Sequence, residues 1–396
     1  MKASFRDLIL REYRPEKYAL LLETMAHRCG TPVPFRISET PVCLPRSLVE
    51  KTVRHGAEML VQLVADTAYL AAARQTIPPE FLAPGEAARP LFAAVDFGLV
   101  QGDSGEWEPR LVELQGFPSL YAYQPVLAEA YREIYGLDGT LRHYLGGLEE
   151  TEYVALFKTA ILGSCEPENV VLLEVHPREQ KTLPDFLLTE RMTGIRTVCI
   201  TEVEREGRRL FYRREGRRIP IRRIYNRAIA DEVMRKNISA SFCFCDDLDV
   251  EWAGHPNWFF LISKFSLPYL RHPAAPKAFF LDWVPENPRD FVLKPLYSFA
   301  GRGVVVGPER EELERIPPWE RRNYIVQERL EFTPVIQTPA GPTKIEIRIL
   351  YIWLDELKPV ETIIRMGRGQ QMGVDHNRNR DWVGGSAGFY TPAAAL

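Results

Sequence analysis

The stretch Lys344–Leu350 constrains the fold of this chain most, because charged and apolar residues alternate strictly along it. A period of two places the isoleucines on one face of a β-strand and Glu346 and Arg348 on the other. A second strand-like run, P-V-E-T-I-I-R, follows the turn residues 355–356. A hairpin centred on this turn places Glu346 opposite Arg365. The charged strip is then either a solvated face or the floor of a cleft.

A second hairpin is predicted nearer the N-terminus, from the strand-like runs Leu91–Val100 and Arg110–Gly116 and the turn-rich segment between them. With the turn centred on Ser104–Gly105, Asp96 on the first strand lies opposite Glu113 on the second. Two carboxylates side by side repel each other, and a divalent cation between them removes that repulsion. Oxygen ligands of this kind suit Mg²⁺. A register slip or a solvated face is the alternative.

The segment Phe291–Val306 contains the strongest local signal for an anion site. A predicted strand ends on Lys294, and the small-residue loop Ser298–Gly303 precedes a valine-rich strand. Glycines let backbone N–H groups turn toward an anion, and a lysine fixed on a strand supplies a point charge for phosphate. A second lysine, Lys264, precedes this segment. A hairpin with an exposed lysine explains the pattern equally well.

The middle of the chain predicts a βαβ unit. The run V-V-L-L-E-V, directly after Asn169, is continuous and apolar, as is typical of a strand buried on both faces. A helix over Leu183–Thr193 then leads to a short strand over Thr197–Ile200. With helical patterns over Phe5–Ala26 and Arg46–Ala73 and hairpins in the last third, the sequence predicts an α/β or α+β fold.

Composition and charge narrow the class of protein. The 396 residues include 53 acidic and 50 basic side chains, and the net charge of -3 gives no argument for a nucleic-acid or anionic-membrane partner. No apolar run approaches the roughly 18 residues that a membrane span needs. The six cysteines include no C-x-x-C pair, and we interpret Cys243 and Cys245 as buried reduced thiols. We therefore expect a reduced, cytoplasmic, multi-domain protein.

Several common catalytic motifs are absent from the sequence, among them Walker A and H-E-x-x-H. The loop Gly301–Gly303 is followed by Val306 where a dinucleotide fingerprint has its third glycine. The run Gly384–Gly388 matches the G-x-S-x-G nucleophile elbow, but no acidic residue or histidine follows Ser386, as the hydrolase order requires. We interpret this run as a flexible glycine-rich loop.

The features above occur together in one known family. The strand-borne Lys294 with its glycine-rich loop, the V-Q-E segment Val326–Glu328 and the E-x-R strand resemble the ATP-grasp ligases. In most of those enzymes the acidic metal hairpin comes last in the chain, whereas here Asp96 and Glu113–Gln115 come first. That order is similar to the circularly permuted ATP-grasp proteins of the glutathionylspermidine synthetase type. The resemblance covers roughly residues 90–385.

This resemblance implies an ATP- and Mg²⁺-dependent ligase that joins a carboxylate to an amine through an acyl phosphate. The substrates are then small molecules or peptides, with neither nucleic acid nor membrane as a partner. The implied site residues are, for the metal, Asp96, Glu113 and Gln115; for ATP, Lys264, Lys294, Ser298, Gly301, Arg302, Gly303, Gln327 and Glu328; and for phosphoryl transfer, Glu346, Arg348 and Arg365.

The resemblance also implies a domain order and leaves two alternatives open. The predicted parts are an N-terminal helical segment (1–90), a metal-site hairpin with helices of the permuted core (91–150), a Rossmann-like pre-ATP domain (151–255) and a subdomain with the lysine, the glycine loop and the core strands (256–396). Gln115 stands where the family usually has Asn, which favours a degenerate module that binds nucleotide without ligation. The other alternative is a different ATP-dependent phosphoryl transferase, such as a kinase, on the same scaffold.

Overall fold

The computed structural model describes residues 3–297, 302–370, 372 and 379–392. The helices are α1 Ala3–Glu12, α2 Pro15–Cys29, α3 Arg46–Ala65, α4 Thr67–Arg74, α5 Tyr123–Tyr135, α6 Glu150–Leu162, α7 Leu183–Thr193, α8 Ala230–Arg235, α9 Trp258–Leu261 and α10 Arg310–Glu314. The strands are β1 Val42–Leu44, β2 Phe92–Gln101, β3 Trp107–Gln115, β4 Val170–Glu174, β5 Arg196–Cys199, β6 Glu204–Glu206, β7 Arg209–Arg214, β8 Arg217–Ile221, β9 Arg223–Asn226, β10 Glu251–Ala253, β11 Ala278–Phe280, β12 Phe291–Pro295, β13 Val305–Val306, β14 Tyr324–Glu328, β15 Ile336–Thr338, β16 Gly341–Trp353, β17 Leu357–Gly367 and β18 Gly384–Tyr390. None of the described helices is long and apolar enough to cross a membrane.

The largest sheet has seven strands, and β16 is an inner strand of it. The order is β1–β18–β17–β16–β2–β3, with β15 also paired to β16. The predicted alternation in β16 is confirmed, because Ile345, Ile347 and Ile349 are all buried on one face. The opposite face is not solvated, since Glu346 is 6% and Arg348 8% exposed. Of the two interpretations left open by the sequence, the solvated strip is therefore wrong.

The face of the large sheet that carries Glu346 and Arg348 is divided into two halves. In one half, Phe92 of β2 and Leu350 of β16 join a hydrophobic cluster with side chains of α2, α5, α6 and α7. Asp96 lies farther along β2 on the same face, where the apolar half ends and the charged half begins. The helices thus bury one end of the strands, and the other end is left to polar side chains.

The predicted pairing of Asp96 with Glu113 in the first hairpin is confirmed, although a β-bulge shifts the register between this pair and the turn. Asp96 pairs with Glu113, whereas the next residue, Phe97, pairs with Leu111. Val112 is therefore the extra residue on β3, and the turn is displaced by half a residue from the predicted centre. In the second hairpin the predicted pairing is also confirmed, because Glu346 and Arg365 are direct partners on β16 and β17, with a register shift between Leu350 and Tyr351 nearer the turn.

A separate four-stranded parallel sheet has the order β10–β9–β4–β5. The predicted βαβ unit is confirmed, because β4 is buried along its whole length, α7 follows it, and β5 pairs with β4 in parallel. The chain then forms the antiparallel sheet β6–β7–β8 before β9 pairs with the other side of β4. The carboxyl ends of β4 and β9 consequently lie side by side.

The sheet that carries the predicted lysine has the order β11–β14–β12–β13. Lys294 of β12 pairs with Ile325, and Val292 pairs with Gln327 of β14, so Lys294 and Gln327 are diagonal neighbours on one face. The short 3₁₀ helix Lys264–Tyr269 packs against β3 of the large sheet and against β11 and β14 of this one. This packing brings both lysines toward the first hairpin.

Two expectations from the sequence are wrong. Gly384–Gly388 is not a flexible loop, because it lies in β18 between β1 and β17. Ser386 is fully buried there and its hydroxyl donates to the Thr40 carbonyl at 2.6 Å, so backbone pairing with two strands explains these small residues. Cys243 and Cys245 are not buried thiols on a strand either, since they lie in a loop and are joined by a disulfide.

Replacing Gly116 by Ala tests the packing between the first hairpin and the segment that carries Lys264. A Cβ atom at Gly116 lies 2.3 Å from the Trp258 carbonyl oxygen, so the backbone of that segment has to shift. We expect Gly116→Ala to lower the free energy of unfolding by about 1–3 kcal/mol, as overpacking does. Gly139→Ala, where a Cβ meets nothing within 4 Å, is the control and should change it by less than about 0.5 kcal/mol. Equal urea midpoints for the two variants contradict this account.

Candidate functional site

A buried cluster of ion pairs occupies the charged half of the large sheet. Arg348 donates two hydrogen bonds to Asp96, from Nε to Oδ1 at 2.5 Å and from Nη2 to Oδ2 at 2.7 Å. Arg365 donates to both Asp96 and Glu346. Strand pairing imposes these contacts. Arg348 of β16 is the direct partner of Asp96 on β2, and Glu346 of β16 is the direct partner of Arg365 on β17.

Burial and charge together set the pKa values in this cluster. Burial disfavours the ionised form of Asp96 and so tends to raise its pKa. The guanidinium groups of Arg348 and Arg365 have the larger effect and hold the pKa of Asp96 below its ordinary value. Burial raises the pKa of Glu346 to about 7, although Arg365 opposes the rise. Asp96 is therefore an anion at neutral pH, and Glu346 is the easier of the two carboxylates to protonate.

The cluster changes the argument that led from the sequence to a metal ion. Arg348 relieves the repulsion expected between Asp96 and Glu113. Its Nη2 donates a hydrogen bond to Asp96 Oδ2 and also lies 3.8 Å from Glu113 Oε1. Arg348 reaches Asp96 because β16 pairs with β2. The sequence of either hairpin by itself does not predict this pairing. The repulsion therefore no longer requires a cation, and the metal role of Asp96, Glu113 and Gln115 stays a prediction.

Both predicted lysines approach the same hairpin. Lys294 Nζ donates to the Val112 carbonyl at 2.9 Å and to Gln327 Oε1 at 2.5 Å, and Lys264 Nζ lies 3.9 Å from Glu113 Oε2. The bulge at Val112 turns its carbonyl out of the strand ladder toward Lys294. Burial lowers the pKa of Lys294 to about 8, although Glu113 opposes the shift. Lys294 is therefore close to losing its charge under mildly alkaline conditions.

Glu113 is where these groups meet. Gln115 Nε2 donates to Glu113 Oε1 at 2.7 Å, beside the contacts of that carboxylate with Arg348 and Lys264. The Glu113 side chain is 20% exposed, against 1% for Asp96. A cavity of about 30 Å³ opens next to it, and Lys264 and Tyr297 are among its lining residues. Of the two paired carboxylates, Glu113 is thus the one that a ligand reaches.

The remaining predicted nucleotide residues lie outside this cluster. Glu328 is exposed, and its carboxylate accepts the backbone N–H of Lys277 at 3.3 Å. Arg302 and Gly303 are exposed residues of the turn that precedes β13. Ser298 and Gly301 lie outside the described residues.

Sequence reasoning missed two acceptors in the site, both on the backbone. The carbonyls of Val112 and Leu111 accept from Lys294 and from Gln327, the latter at 3.3 Å. No side-chain pattern carries this information, because any residue type supplies a carbonyl. The feature that exposes the Val112 carbonyl is the β-bulge. A bulge depends on how two strands pair, so neither strand sequence reveals it alone.

Among the described residues, a second group of candidate metal ligands consists of His55, Glu58 and His272, whose ligand atoms lie within 4.8 Å of one another. The backbone N–H of Ala274 points at His272 Nδ1 at 3.1 Å, which places the ring proton on Nε2. That nitrogen lies 2.9 Å from Glu58 Oε2. The arrangement therefore favours a hydrogen bond from His272 to Glu58 over coordination through Nε2.

The pair of Arg348 and Asp96 should be strongly coupled. Replacing Arg348 by Leu leaves a buried carboxylate with one partner fewer, and we expect a loss of unfolding free energy of about 3 kcal/mol. The double variant Asp96→Asn/Arg348→Leu should lose less than the sum of the single changes, by about 1–3 kcal/mol. Urea denaturation measures all three.

Arg289→Leu is the control for this cycle, because its partner Glu309 is 52% exposed and Arg289 itself 74%. Exposed pairs of this kind contribute at most about 1 kcal/mol. A loss in Arg348→Leu no larger than in Arg289→Leu contradicts the assignment of a coupled buried pair.

Comparison with known proteins identifies the fold. The chain is similar to the apo structure of a glutathione synthetase-like effector, GSS30, from Globodera pallida, with a TM-score of 0.59 and 13% sequence identity. The similarity covers 95% of this chain and 99% of the effector chain. No protein-family model matches the chain, and no curated protein matches it. The predicted α/β class is therefore confirmed, and the chain shares the fold of this effector.

Proposed function

We propose that the chain is an ATP- and Mg²⁺-dependent ligase of the circularly permuted ATP-grasp type, which joins a carboxylate to an amine. The observation that carries this proposal is the convergence of Lys264, Lys294 and Arg348 on Glu113 and on the backbone next to it, from three separate segments of the chain. Convergent cations beside a reachable carboxylate suit a nucleoside triphosphate with its magnesium ion. The glutathione synthetase-like fold supports the same assignment.

The reaction has two steps. A carboxylate oxygen of the acid substrate attacks the γ-phosphorus of ATP, the bond to the bridging oxygen breaks, and ADP leaves with the electron pair. The amine nitrogen then attacks the carbonyl carbon of the acyl phosphate, inorganic phosphate leaves, and the nitrogen loses a proton. Little of this requires covalent participation by the protein, so positioning and charge stabilisation are its main contributions.

The lysines are assigned to the phosphates. Lys294 is held by Gln327 and the Val112 carbonyl, so its ammonium group is fixed in position before any ligand arrives. Lys264 also lines the cavity, and its Nζ lies 3.9 Å from Glu113 Oε2. A compact ammonium charge in a partly dehydrated place attracts phosphate oxygens more strongly than in water.

The arginines are assigned to the transferring phosphoryl group. Arg348 and Arg365 are oriented by Asp96 and Glu346, which fix both guanidinium groups on one face of the sheet. Fixed donors directed at developing charge commonly contribute about 3–4 kcal/mol each to transition-state stabilisation. Asp96 is in this assignment a positioning residue as well as a candidate metal ligand.

The residues around Glu113 fit a magnesium ion. Glu113 and Asp96 provide carboxylate oxygens and Gln115 an amide oxygen, the ligand type that Mg²⁺ prefers. A magnesium ion held there would neutralise negative charge on the phosphates of the nucleotide. Glu113 is the entry point, because both oxygens of Asp96 already accept from arginines.

Nucleotide binding requires a local rearrangement. The cavity of about 30 Å³ beside Glu113 has room for water-sized groups only. Tyr297, in its wall, directly precedes the loop predicted to cover the phosphates, and its hydroxyl bonds to Thr76. We expect this wall to move when ATP binds.

A second function is favoured by one observation. Both oxygens of Asp96 accept hydrogen bonds from Arg348 and Arg365, and Gln115 stands where the family usually has Asn, so a metal ion would have to compete for part of its ligand set. A module that binds nucleotide without ligation is the alternative. Release of ADP separates the two functions, because the module binds ATP without hydrolysing or transferring it.

The first test measures ADP release with MgATP and a panel of amino acids, peptides and polyamines. We expect turnover with at least one acid and amine pair, and a fall of about 100-fold or more in Glu113→Gln, because an amide would hold the magnesium ion that neutralises the phosphates less strongly than the carboxylate. Glu108→Gln is the control, since Glu108 lies on the same strand and is paired with Lys51. ATP binding without turnover on the whole panel supports the non-catalytic module, and full activity of Glu113→Gln refutes the metal assignment.

The second test concerns the pH dependence of MgATP binding. With a pKa of about 8, Lys294 is mostly charged at pH 7 and mostly neutral at pH 9, so its attraction for phosphate is lost as the pH rises through 8. We expect MgATP to bind about tenfold more weakly at pH 9 than at pH 7 in calorimetric titrations. Lys294→Arg should flatten this dependence, whereas Lys358→Arg on an exposed part of β17 should keep it. Equal wild-type affinity at both pH values contradicts the role of Lys294.

A further inference from the structure

The disulfide between Cys243 and Cys245 lies at the protein surface, in the loop that connects α8 to β10. Phe242 and Phe244, which alternate with the cysteines, are 7% and 5% exposed. Cys245 is exposed and Cys243 is half-buried. The aromatic side chains therefore hold this C-F-C loop (residues 242–246) in the core and leave the sulfur pair at the boundary with water.

This disulfide contributes little as a structural cross-link. A disulfide stabilises a fold mainly by restricting the unfolded chain, and the restriction grows with the length of the loop that it closes. Cys243 and Cys245 are separated by 2 positions, so the bond joins no distant elements. Other contacts hold the loop, because the ring centre of Phe244 lies 5.6 Å from that of Phe81 and 5.8 Å from that of Trp252. The bond can therefore open and close while the loop stays folded.

Polar contacts keep the two sulfurs close together independently of the bond. The backbone N–H of Cys243 donates to Asp246 Oδ2 at 2.7 Å, and Arg205 Nη1 donates to the same oxygen at 2.6 Å. The Cα atoms of the two cysteines are 5.2 Å apart, which is usual for a disulfide. Two thiols held in this way react with each other at a much higher effective concentration than with a thiol in solution. The reduced pair is consequently well placed to form the disulfide again.

The two sulfurs differ in exposure and in their hydrogen-bonding surroundings. A thiol from solution reaches Sγ of the exposed Cys245 more easily than that of Cys243. Cys243 Sγ lies 2.9 Å from the Glu80 carbonyl oxygen and 3.3 Å from the backbone nitrogen of Cys245. That N–H stabilises a thiolate on Cys243 as it leaves, and the carbonyl accepts the proton of the thiol that forms afterwards. Cys245 is thus the sulfur open to attack, and Cys243 is the leaving group.

We propose that Cys243 and Cys245 are a redox-active pair that exchanges reversibly with low-molecular-weight thiols. A thiolate attacks Cys245 Sγ, the bond between the cysteines breaks, and Cys243 leaves with the electron pair and takes a proton from water. A second thiolate attacks the sulfur of the bound thiol, and Cys245 leaves as a thiolate that is protonated in turn. The chain gains two electrons and two protons, and the two thiol molecules are oxidised to one disulfide.

The first part of the test measures this exchange in the native full-length chain. The protein is incubated with different ratios of 2-mercaptoethanol to its disulfide, quenched with acid, treated with N-ethylmaleimide and digested with trypsin. The tryptic peptide 237–264 contains Cys243 and Cys245 and no other cysteine. We expect this peptide to pass reversibly from the disulfide to the doubly modified dithiol as the ratio rises. A peptide that stays oxidised until urea is added, or one that never becomes oxidised, overturns the proposal.

The second part identifies the attacked sulfur, because the same mixed disulfide is the intermediate of reduction and of oxidation. Treated with the disulfide of 2-mercaptoethanol, Cys243→Ser should form a lasting mixed disulfide on Cys245, since the resolving thiol is absent. In Cys245→Ser, the half-buried Cys243 should react about tenfold more slowly. Cys165 is the control in the same digests, and it should also react slowly because burial raises the pKa of its thiol. Equal rates at Cys243 and Cys245, or at Cys165 and Cys245, contradict the role of Cys245.

A urea unfolding curve shows whether each variant folds, and the wild-type chain decides the question if Cys243→Ser does not. Quenched with acid soon after addition of excess 2-mercaptoethanol, the wild-type chain should carry the first adduct on Cys245, which fragmentation of the peptide 237–264 locates. An adduct on Cys243 overturns the assignment. None of these measurements involves ATP, so their outcome is independent of the proposed ligase function.

Discussion

The bidentate ion pair between Arg348 and Asp96 is the interaction on which the site depends. It joins two inner strands of the large sheet that are separated by some 250 residues of chain, and it lies where the apolar half of one sheet face ends. Dehydrating both charges is costly, so such a pair persists only with good geometry and further hydrogen bonds. Arg365 of β17 supplies these by donating to Asp96 and to Glu346, and it thereby extends the network to a third strand.

The same network determines how free the charged groups of the candidate site are to bind a ligand. Arginines held by carboxylates are oriented before a phosphate arrives, which favours charge stabilisation in a transition state. A metal ion, in contrast, competes with those arginines for Asp96, and it meets less competition at Glu113, where the distances to Arg348 and Lys264 are 3.8 and 3.9 Å. The hairpin predicted as a metal site is therefore asymmetric, with one carboxylate occupied by the protein and one open to the cavity.

Local sequence patterns predicted the strand pairings within each hairpin. They did not predict the pairing of strands that are far apart in the chain. Alternation and turn position gave the pairing of Asp96 with Glu113 and of Glu346 with Arg365, because a hairpin is set by its own two strands. The pairing of β16 with β2 has no local signal, since it depends on how the whole sheet is assembled. For the same reason Gly384–Gly388 was predicted as a loop: glycines and a serine have low strand propensity, and the two flanking strands override it.

Three buried cations of this chain differ in the hydrogen bonds that they already form, and these bonds affect how readily each cation binds an anion. Lys294 is satisfied by a carbonyl and an amide, and Arg348 by a carboxylate, so a phosphate that binds either one has to compete with an existing hydrogen bond. Arg227 has the aromatic faces of Phe117 and Phe186 on its guanidinium, and no described residue accepts the protons of its Nε and Nη1 atoms. An anion that reaches these two atoms breaks no hydrogen bond among the described residues, but it meets the negative field of the buried carboxyl groups of Glu174 and Asp185. The groups already in place around each cation therefore determine how much free energy that cation offers to an incoming anion.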